Sequence, residues 1–505
     1  MSRSIKSIVE YGTGGLLLDI ECHLTNGLPM IVIVGFANKA VDEAKERVRS
    51  AFASSNLDLP RKRITINLAP ADLPKESTSF DLAIATAILQ AARQIKTDEM
   101  TTSVVLGELG LDGSVRAIRG TIGKVLAARD LGYKTIFLPT ANFSQAMMVP
   151  DLSVVPVNNL RDLYLDLTNT VRLKRYRSAQ ETKPFTARLS GADFRDIVGQ
   201  HRAKRALEIA AAGGHNVLLS GPPGTGKSML AKALPSILPP LSREEVLEIT
   251  HLHSLSTRQY EQIITTRPFR APHHSASLVS IIGGGQHPRP GEISLSHHGV
   301  LFLDELPEFS KTTLESLRQP LEDKTITVAR ARDSLLFPAD FMLVATANPC
   351  PCGYFGTNKA CVCLPQQIIK YQHKLSGPIL DRIDLYVDVD EVDHARLLGP
   401  DQVEVSKAMR RRVATARERQ YARYHNRLKT NATLTNQQIK RLAQLSPAAK
   451  SLLDQAATKL GISARSYMRV IKVSRSIADL SDEPTIQVTH ITEALQYRKP
   501  AQPSI

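Results

Sequence analysis

The sequence predicts three parts in order. They are an α+β domain over residues 1–170, an α/β core with a parallel sheet over residues 193–390, and a helical domain over residues 391–505. Short strands mixed with helices indicate the first part, apolar strands that alternate with helices indicate the second, and helical patterning with little Gly or Pro indicates the third. A basic polar stretch without periodicity, residues 171–192, predicts a linker between the first two parts.

The composition is ordinary for a globular protein, with 42% hydrophobic and 22% charged residues in a chain of 505. No apolar run approaches the roughly 20 residues of a membrane span. The first residues, MSRSIKSIVEYGTGG, lack the apolar segment of a secretory signal. We therefore predict a cytoplasmic protein with no membrane partner.

The basic charge is unevenly distributed. The formal net charge is +15, yet residues 1–170 contain 18 Lys and Arg against 18 Asp and Glu, whereas residues 391–505 contain 20 against 10. A basic excess in one part of a chain favours a polyanionic partner such as nucleic acid. A solvated basic surface without a partner is the alternative.

The predicted elements of the first part come from short β-branched runs and from apolar stripes at helical spacing. Ile31–Gly35, Ile64–Leu68 and Ser103–Leu106 are predicted strands. Asp42–Ser54 and Phe80–Arg93 are predicted helices.

The predicted elements of the other two parts follow from the same signals. The core strands are Asn216–Ser220, Val300–Leu303 and Met342–Ala345, a helix begins at Lys227, and the clearest later helices span residues 404–427 and 465–479. Thr325–Phe337 (TITVARARDSLLF) predicts two strands around a turn at Asp333-Ser334.

A phosphate-binding loop is predicted at GPPGTGKS, which fits the pattern G-x-x-x-x-G-K-[ST] between a strand and a helix. Its glycines let backbone N–H groups surround phosphate oxygens, Lys227 supplies a positive charge and Ser228 a hydroxyl for Mg²⁺. The predicted nucleotide-binding residues are Gly221, Pro222, Pro223, Gly224, Thr225, Gly226, Lys227, Ser228 and Asp304.

Three polar residues at strand ends complete the predicted catalytic site. The apolar strand VLFL is followed by Asp304, which would hold Mg²⁺ with Ser228, and by Glu305, which would polarise an attacking water. Asn348 follows the strand that ends at Ala345 and would orient that water, although such a residue often serves a turn.

Two arginines are further candidates for the catalysis of phosphoryl transfer. Arg382 in GPILDRIDL and Arg465 in ISARSYMR could supply positive charge, and an arginine from a neighbouring subunit often does so. Because Asp381 and Asp384 flank Arg382, a local ion pair is the structural alternative.

Together these residues resemble an AAA+ ATPase. GPPGTGKS is similar to Walker A, VLFLDE to Walker B, Asn348 to sensor 1, Arg382 to the arginine finger and Arg465 to sensor 2. More narrowly, RPFRAPHHSAS, GEISLSHHGVLFLDELPEF and NPCPCGY resemble magnesium chelatase-like proteins, and the whole chain resembles the ComM/YifB family. The C-terminal helices then resemble the lid of such ATPases.

The resemblance implies a hexameric ring that binds ATP and Mg²⁺ and acts as a DNA helicase. It implies branch migration of single-stranded and branched DNA during natural transformation, with recombination proteins as possible partners. The interval between Lys227 and Asp304 is similar to a loop that enters the pore of such rings, and the hairpin Thr325–Phe337 to a second pore element. The implied DNA contacts are Phe269, Arg270, His273, His274, Arg330 and Arg332; structural polar residues and an exposed charged hairpin are the alternatives.

The N-terminal part resembles the Lon-type, ribosomal S5 domain 2-like fold through LPKESTSFDLAIATAIL and GELGLDGSVRAIRGTIGKVLAARDLGYKTIFLP. Lon uses a serine–lysine dyad, in which an amine activates a hydroxyl. The serine position falls on Ser79, but the lysine position falls on Ile122. Lys124, two residues on, would point elsewhere if the segment is helical. We therefore predict no peptidase activity.

The sequence is compatible with four functions to different degrees. The first is an ATP-driven DNA motor, and the second is a magnesium chelatase-type subunit that remodels a protein partner. The third is a DNA-binding or chaperone module that uses ATP as a switch, which the intact Asp304-Glu305 pair opposes. The fourth is an ATP-dependent protease, which Ile122 opposes.

Four of the five cysteines lie in NPCPCGYFGTNKACVC, immediately after Asn348. Cys350, Cys352, Cys361 and Cys363 form two close pairs that could hold a structural, tetrahedral Zn²⁺. Reduced or redox-active thiols and disulfides are the alternatives, the last disfavoured in a reducing cytoplasm.

Overall fold

The computed structural model describes residues 4–35, 39–70, 78–95, 98–178, 192–256, 262–285, 288–329, 334–374, 377–391 and 405–499. The chain forms two compact units. Unit 1 comprises residues 1–185 with 242–265, and unit 2 comprises residues 186–241 with 266–505.

Unit 1 is built on a mixed eight-stranded sheet. Within the described residues its strands are β1 Ile5–Tyr11, β2 Gly14–Thr25, β3 Met30–Val34, β4 Arg63–Ala69, β5 Ser103–Val105, β8 Thr135–Pro139, β9 Ser153–Val157 and β10 Tyr176–Arg177; β6 Glu108–Leu109 and β7 Val115–Arg116 form a separate small ribbon. The sheet order is β10-β9-β8-β5-β1-β2-β4-β3. The predicted strands appear as β3, β4 and β5, and the prediction of an α+β unit is confirmed.

Helices cover this sheet with apolar side chains. They are α1 Lys39–Ser54, α2 Asp81–Ala91, α3 Thr121–Asp130, α4 Phe143–Ala146 and α5 Leu160–Leu167. Nine of the eleven residues of α2 are buried, because its apolar residues run almost without interruption. The first part of the predicted linker also belongs to this unit, since Tyr176 and Arg177 pair with Val154 and Ser153 of β9.

Unit 2 contains the predicted parallel sheet. Its strands are β11 Val217–Ser220, β12 Phe269–Arg270, β15 Val300–Leu303, β18 Met342–Ala347 and β19 Leu385–Asp388, in the order β12-β15-β18-β11-β19, and every neighbouring pair is parallel. Two ribbons lie outside it: β13 Gly283–Gly284 with β14 Arg289–Pro290, and β16 Thr325–Ala329 with β17 Ser334–Pro338. The second ribbon is the predicted hairpin; its residues 330–333, which include Arg330 and Arg332, lie outside the described part of the chain.

The helices that surround this sheet within residues 192–391 are short apart from the first. They are α6 His201–Gly213, α7 Lys227–Ala233, α9 Leu278–Ile282, α10 Glu292–Leu295, α11 Lys311–Ser316, α12 Arg318–Asp323, α13 Pro365–Lys374 and α14 Gly377–Leu380. Since the carboxyl ends of parallel strands meet at one edge, this topology brings the residues that follow β11, β15 and β18 together.

One helix from the middle of the predicted core belongs to unit 1 instead. Helix α8 (Arg243–Ser256) and the residues up to 265 cluster with the N-terminal domain. Arg243 Nη2 donates to the carbonyl oxygen of Met148 at 2.8 Å, and His251 Nε2 lies 2.8 Å from that of Thr13. Residues 242–265 therefore interrupt the predicted range 193–390.

The C-terminal part is helical, as predicted. Its helices are α15 Ser406–Tyr424, α16 Asn436–Leu442, α17 Pro447–Leu460, α18 Ala464–Leu480 and α19 Val488–Gln496. The buried carboxylate of Asp479 binds Arg423 at 2.5 Å and Arg475 at 3.1 Å, and it accepts a hydrogen bond from Asn431. Part of the basic charge of this region is therefore neutralised inside the fold.

No helix in the described part of the chain is both long and apolar enough to cross a lipid bilayer.

Candidate nucleotide-binding site

The predicted phosphate loop lies where expected. β11 ends at Ser220 and α7 begins at Lys227, so the loop joins a buried central strand to a helix. Gly224 and Gly226 adopt φ angles of +81° and +87°, which glycine tolerates and other residues rarely do. The sequence therefore needs glycine at both positions to form this turn.

The ammonium group of Lys227 lies inside the loop. Its Nζ donates to the carbonyl oxygens of Gly221 and Pro222, both at 2.7 Å, and to Oδ1 of Asn348 at 3.2 Å. Burial lowers the pKa of Lys227, and the nearby carboxylates of Asp304 and Glu305 oppose this shift. A positive charge is thus held between the loop and Asn348, where it can meet the phosphates of a nucleotide.

The two acidic residues after β15 have different partners. Asp304 Oδ2 accepts a hydrogen bond from Ser228 Oγ at 3.0 Å, so the two predicted Mg²⁺ ligands adjoin. Hydroxyl and carboxylate oxygens of this kind suit Mg²⁺, which prefers hard oxygen ligands. Glu305 has a φ of +53°, a left-handed conformation that costs about 1–2 kcal/mol for a residue with a side chain.

Thr346 contacts both acidic residues, through the carboxylate of Asp304 and the backbone of Glu305, and sequence reasoning missed it. Its hydroxyl donates to Asp304 Oδ1 at 2.6 Å and accepts from the backbone N–H of Glu305 at 2.8 Å. Thr346 is 1% exposed. A threonine in a strand is unremarkable by propensity, and only its position two residues before Asn348 could have drawn attention to it.

These residues line one pocket of about 240 Å³. Its lining comprises Pro223, Gly224, Thr225, Gly226, Lys227, Ser228, Met229, Asp304, Glu305, Thr346 and Asn348. The pocket therefore unites a phosphate loop, a Mg²⁺-binding pair, a carboxylate able to polarise water and an amide able to orient it. This set of groups can hydrolyse a nucleoside triphosphate.

Arg382 and Arg465 lie together but do not line that pocket. Both bind the same carboxylate oxygen, Glu322 Oε1, at 2.5 Å and 2.9 Å. Arg382 has an 11% exposed side chain, and its hydrogen bond and charge, with those of Arg465, lower the pKa of Glu322. Arg382 is therefore paired with Glu322 of α12, a partner distant in sequence.

The four clustered cysteines converge after β18. Cys350 Sγ lies 3.4 Å from Cys352 Sγ and 3.7 Å from Cys361 Sγ, which are 3.5 Å apart, and all four sulfur atoms lie within 4.8 Å of one another. A tetrahedral zinc ion with Zn–S bonds of about 2.3 Å has sulfur atoms about 3.8 Å apart. The cluster fits that requirement, and all five cysteines of the chain are free thiols.

The acidities of the clustered thiols also favour a cation. A hydrogen bond from the backbone of Tyr354 is the main cause that lowers the pKa of Cys352, to about 6, which favours its thiolate. In Cys361 a backbone hydrogen bond from Cys363 is outweighed by desolvation and by Cys352 and Cys350, which raises its pKa to about 12. Each thiol thus hinders the ionisation of its neighbours. A dication between the sulfur atoms would offset this effect and stabilise the thiolates together.

The residues predicted to contact DNA have mixed surroundings. Phe269 lies in β12 and stacks on Phe302 with ring centroids 5.8 Å apart, and Arg270 binds Glu292 through two nitrogens at 2.5 Å and 2.6 Å. These contacts favour structural roles for both residues. His273 and His274 are exposed, with ring centroids 4.1 Å apart.

The N-terminal residues compared with the protease dyad are buried. Ser79 is 2% exposed, and Ile122 lies in an apolar cluster at 0%. Lys124 Nζ donates to the carbonyl oxygen of Arg119 at 2.6 Å, and burial lowers its pKa to about 8. The amine of Lys124 is therefore engaged at the start of α3.

The parallel sheet and the pocket define a P-loop ATPase of the AAA+ class. Three family models match in succession: "Subunit ChlI of Mg-chelatase" over residues 20–142, "Magnesium chelatase, subunit ChlI" over residues 193–397 and "Magnesium chelatase, subunit ChlI C-terminal" over residues 403–498. The chain belongs to the ComM/YifB family of magnesium chelatase ChlI-like proteins.

Relatives extend over the whole chain. Competence protein ComM of Haemophilus influenzae is 43% identical over 500 residues, which is 98% of this chain and 97% of that protein. The YifB protein of Salmonella typhimurium is 41% identical over 95% of this chain and 94% of its own length. The Lon protease of Aster yellows witches'-broom phytoplasma is 29% identical over 165 residues, 30% of this chain and 20% of the protease. This supports a partial Lon similarity, and the ribosomal S5 domain 2-like assignment stays a prediction.

Proposed function

We propose that this chain is the ATPase subunit of a ring-shaped DNA motor that promotes branch migration in homologous recombination, as in natural transformation. The observation that supports it best is the complete nucleotide site, with Glu305 and Asn348 at its γ-phosphate end, in a chain similar along its length to a competence protein. The magnesium chelatase-like AAA+ domain implies ATPase activity.

The catalytic roles follow from the positions of the side chains. Lys227 balances the charge of the β- and γ-phosphates, and Ser228 with Asp304 holds the Mg²⁺ that ATP brings. Glu305 accepts a proton from the attacking water while Asn348 orients that water. Arg382 and Arg465 release Glu322 and then supply positive charge to the phosphates. Arg382 does so across a subunit boundary in a homo-hexamer.

DNA contacts rest on electrostatics rather than on base stacking. The chain has a net charge of +15 and no tryptophan. Binding through phosphates is indifferent to sequence and weakens steeply with salt. We place these contacts at exposed His273 and His274 and at Arg330 and Arg332, which fall between β16 and β17 in the sequence and outside the described residues.

The decisive experiment compares ATP hydrolysis without DNA and with single-stranded, forked and Holliday-type DNA. We expect branched or single-stranded DNA to accelerate hydrolysis, and we expect ATP-dependent strand movement on the branched substrate. Glu305→Gln should bind ATP and assemble but not turn over. A rate that no DNA changes would refute the motor and would favour the second candidate, a magnesium chelatase-type subunit that remodels a protein partner, which the three family matches support.

We also propose a structural zinc ion on Cys350, Cys352, Cys361 and Cys363. Four protein ligands leave no open position, so the ion would support the loop rather than catalyse. Metal analysis under reducing conditions should give about one zinc per chain. Cys352→Ser should lower it, whereas Cys22→Ser, outside the cluster, should not.

The N-terminal domain is proposed to act without peptidase activity. Ser79→Ala should leave ATP hydrolysis and its stimulation by DNA unchanged. Neither the wild-type protein nor this variant should cleave peptides, because Ile122 stands at the position where Lon has its lysine base.

A further inference from the structure

We propose that the cysteine loop, residues 350–363, is a control site for the ATP pocket, where zinc and ATP each strengthen the binding of the other. The inference rests on the proposed nucleotide and zinc sites and adds a coupling between them. Such a coupling needs physical contacts that change when one ligand is absent, and two sets of contacts meet this condition.

The first contact joins the cysteine loop directly to the phosphate loop. Gly353 has a φ of +87°, and a Cβ atom built on it would lie 2.5 Å from Cδ and 3.1 Å from Cγ of Pro223. The backbone of the cysteine loop therefore packs against the ring of a pocket-lining residue with no room for a methyl group. Gly353 N–H also donates to the carbonyl oxygen of Cys350 at 3.0 Å, which ties this contact to a zinc ligand.

The second set of contacts joins the cysteine loop to Asn348. Helix α13 begins two residues after Cys363, and its Gln372 donates to the carbonyl oxygen of Pro349 at 3.2 Å. Burial raises the pKa of Tyr371 to about 12, and a hydrogen bond from the backbone of Asn348 opposes this rise. Helix α13 thus contacts Asn348 and Pro349, the two residues directly before Cys350, while Asn348 accepts a hydrogen bond from Lys227 at 3.2 Å.

Besides the sulfur cluster, the loop is held by local hydrogen bonds of Thr357 and by exposed contacts of Lys359 with Glu391 and the ring of Tyr354. Cys350 is fully buried, but Val362 and Leu364 are 84% and 66% exposed, so the loop has almost no apolar core of its own. No helix or strand is assigned between Cys350 and Leu364, all of which the structure describes. A metal site of this kind contributes its binding free energy to the order of the loop. Removal of the ion therefore loosens the contacts of Gly353 and Asn348 with the pocket.

The test measures the linkage in both directions on the full chain without DNA. A fluorescent, non-hydrolysable ATP analogue is titrated into zinc-loaded and chelator-treated protein, and zinc affinity is measured against a chromophoric chelator with and without the analogue. We expect each ligand to strengthen the other by the same factor, about tenfold within the usual range of roughly 5–150 for coupled sites. Two affinities that change by less than twofold would overturn the coupling.

Two glycines of the same loop provide a matched pair of variants if chelation makes the protein precipitate. Gly353 and Gly356 have φ angles of +87° and +74°, but nothing lies within 4 Å of a Cβ built on Gly356. Both changes to alanine introduce similar backbone strain, and only Gly353→Ala collides with Pro223. We expect Gly353→Ala to keep its zinc and to bind the analogue about tenfold more weakly, and Gly356→Ala to stay within twofold of wild type.

The outcomes separate this inference from the proposed motor function. Equal analogue affinities in Gly353→Ala and Gly356→Ala overturn the coupling, even if DNA stimulates hydrolysis normally. Absence of zinc from the reduced wild-type protein overturns it as well. Reciprocal tightening of zinc and analogue supports the coupling, even in a protein whose ATPase no DNA stimulates, because neither measurement contains DNA or turnover.

Discussion

Replacing Thr346 by valine removes one hydroxyl from the floor of the nucleotide pocket and leaves the shape of the strand nearly unchanged. The hydroxyl makes two hydrogen bonds, one to the carboxylate of Asp304 and one from the N–H of Glu305. Bonds to charged groups contribute about 1.5–3 kcal/mol and neutral ones about 0.5–1.5 kcal/mol. One bond holds the Asp304 carboxylate and the other holds the backbone of Glu305, so Thr346 acts as a positioning residue for both acidic residues.

The size of the effect follows from Glu305. Its left-handed backbone costs about 1–2 kcal/mol, and its N–H bond to Thr346 is one of the interactions that keep it there. If about 2 kcal/mol of positioning is lost in the transition state, turnover falls roughly 30-fold, since each 1.36 kcal/mol is a factor of ten. ATP affinity should change little because Lys227 and the phosphate loop remain intact.

Steady-state hydrolysis and analogue binding measure these two effects separately. We expect Thr346→Val to lower kcat roughly 10- to 100-fold with a nearly unchanged dissociation constant. Thr346→Ser keeps the hydroxyl and should stay close to wild type. Normal turnover in Thr346→Val, or an equal loss in Thr346→Ser, would refute the assignment of the hydroxyl to the positioning of Glu305.

Two further predictions concern charged groups. Arg382→Ala should lower turnover about 10³-fold, as for arginine fingers; steady-state kinetics checks this loss, and normal turnover contradicts the role. Burial lowers the pKa of Lys124 to about 8, so the unfolded chain binds this proton more tightly than the folded chain does. The stability of the fold should therefore rise between about pH 8 and about pH 10.4, and this gain is lost as the pH falls through 8. Unfolding of Lys124→Met should lack this rise; identical pH profiles would contradict it.

Local sequence signals predicted the phosphate site well because each part of it is contiguous. The apolar run Val300–Leu303 is bounded by Gly299 and Asp304, and the observed strand has these same limits. The strand signal at residues 342–345 likewise led to Asn348, although the strand continues to Ala347. In such segments the period of apolar residues and the flanking Gly or Asp already fix the local structure.

Features that depend on distant partners were not predictable in this way. Nothing in the sequence of helix α8 points to Met148 or Thr13, yet its contacts with residues of the N-terminal domain assign it to unit 1. The strands Ile5–Tyr11 and Gly14–Thr25 were missed because Gly14 and Gly15 resemble a turn, whereas both pair within the sheet opposite Tyr11 and Glu10. Pairing with a partner strand overrides such local preferences.

The pairing of Arg382 and Arg465 with one carboxylate, that of Glu322, could not be predicted from the sequence. Arg382 and Arg465 were each predicted as a cation for phosphates, and nothing near either one in the sequence points to Glu322. In the folded chain the three form one charge cluster, so the charge that each arginine can offer to a nucleotide depends on the same acid. Because groups in one network couple, the effects of Arg382→Ala and Glu322→Gln on turnover should not add. The two arginines are therefore best regarded as one unit, and measurements on either alone will report on both.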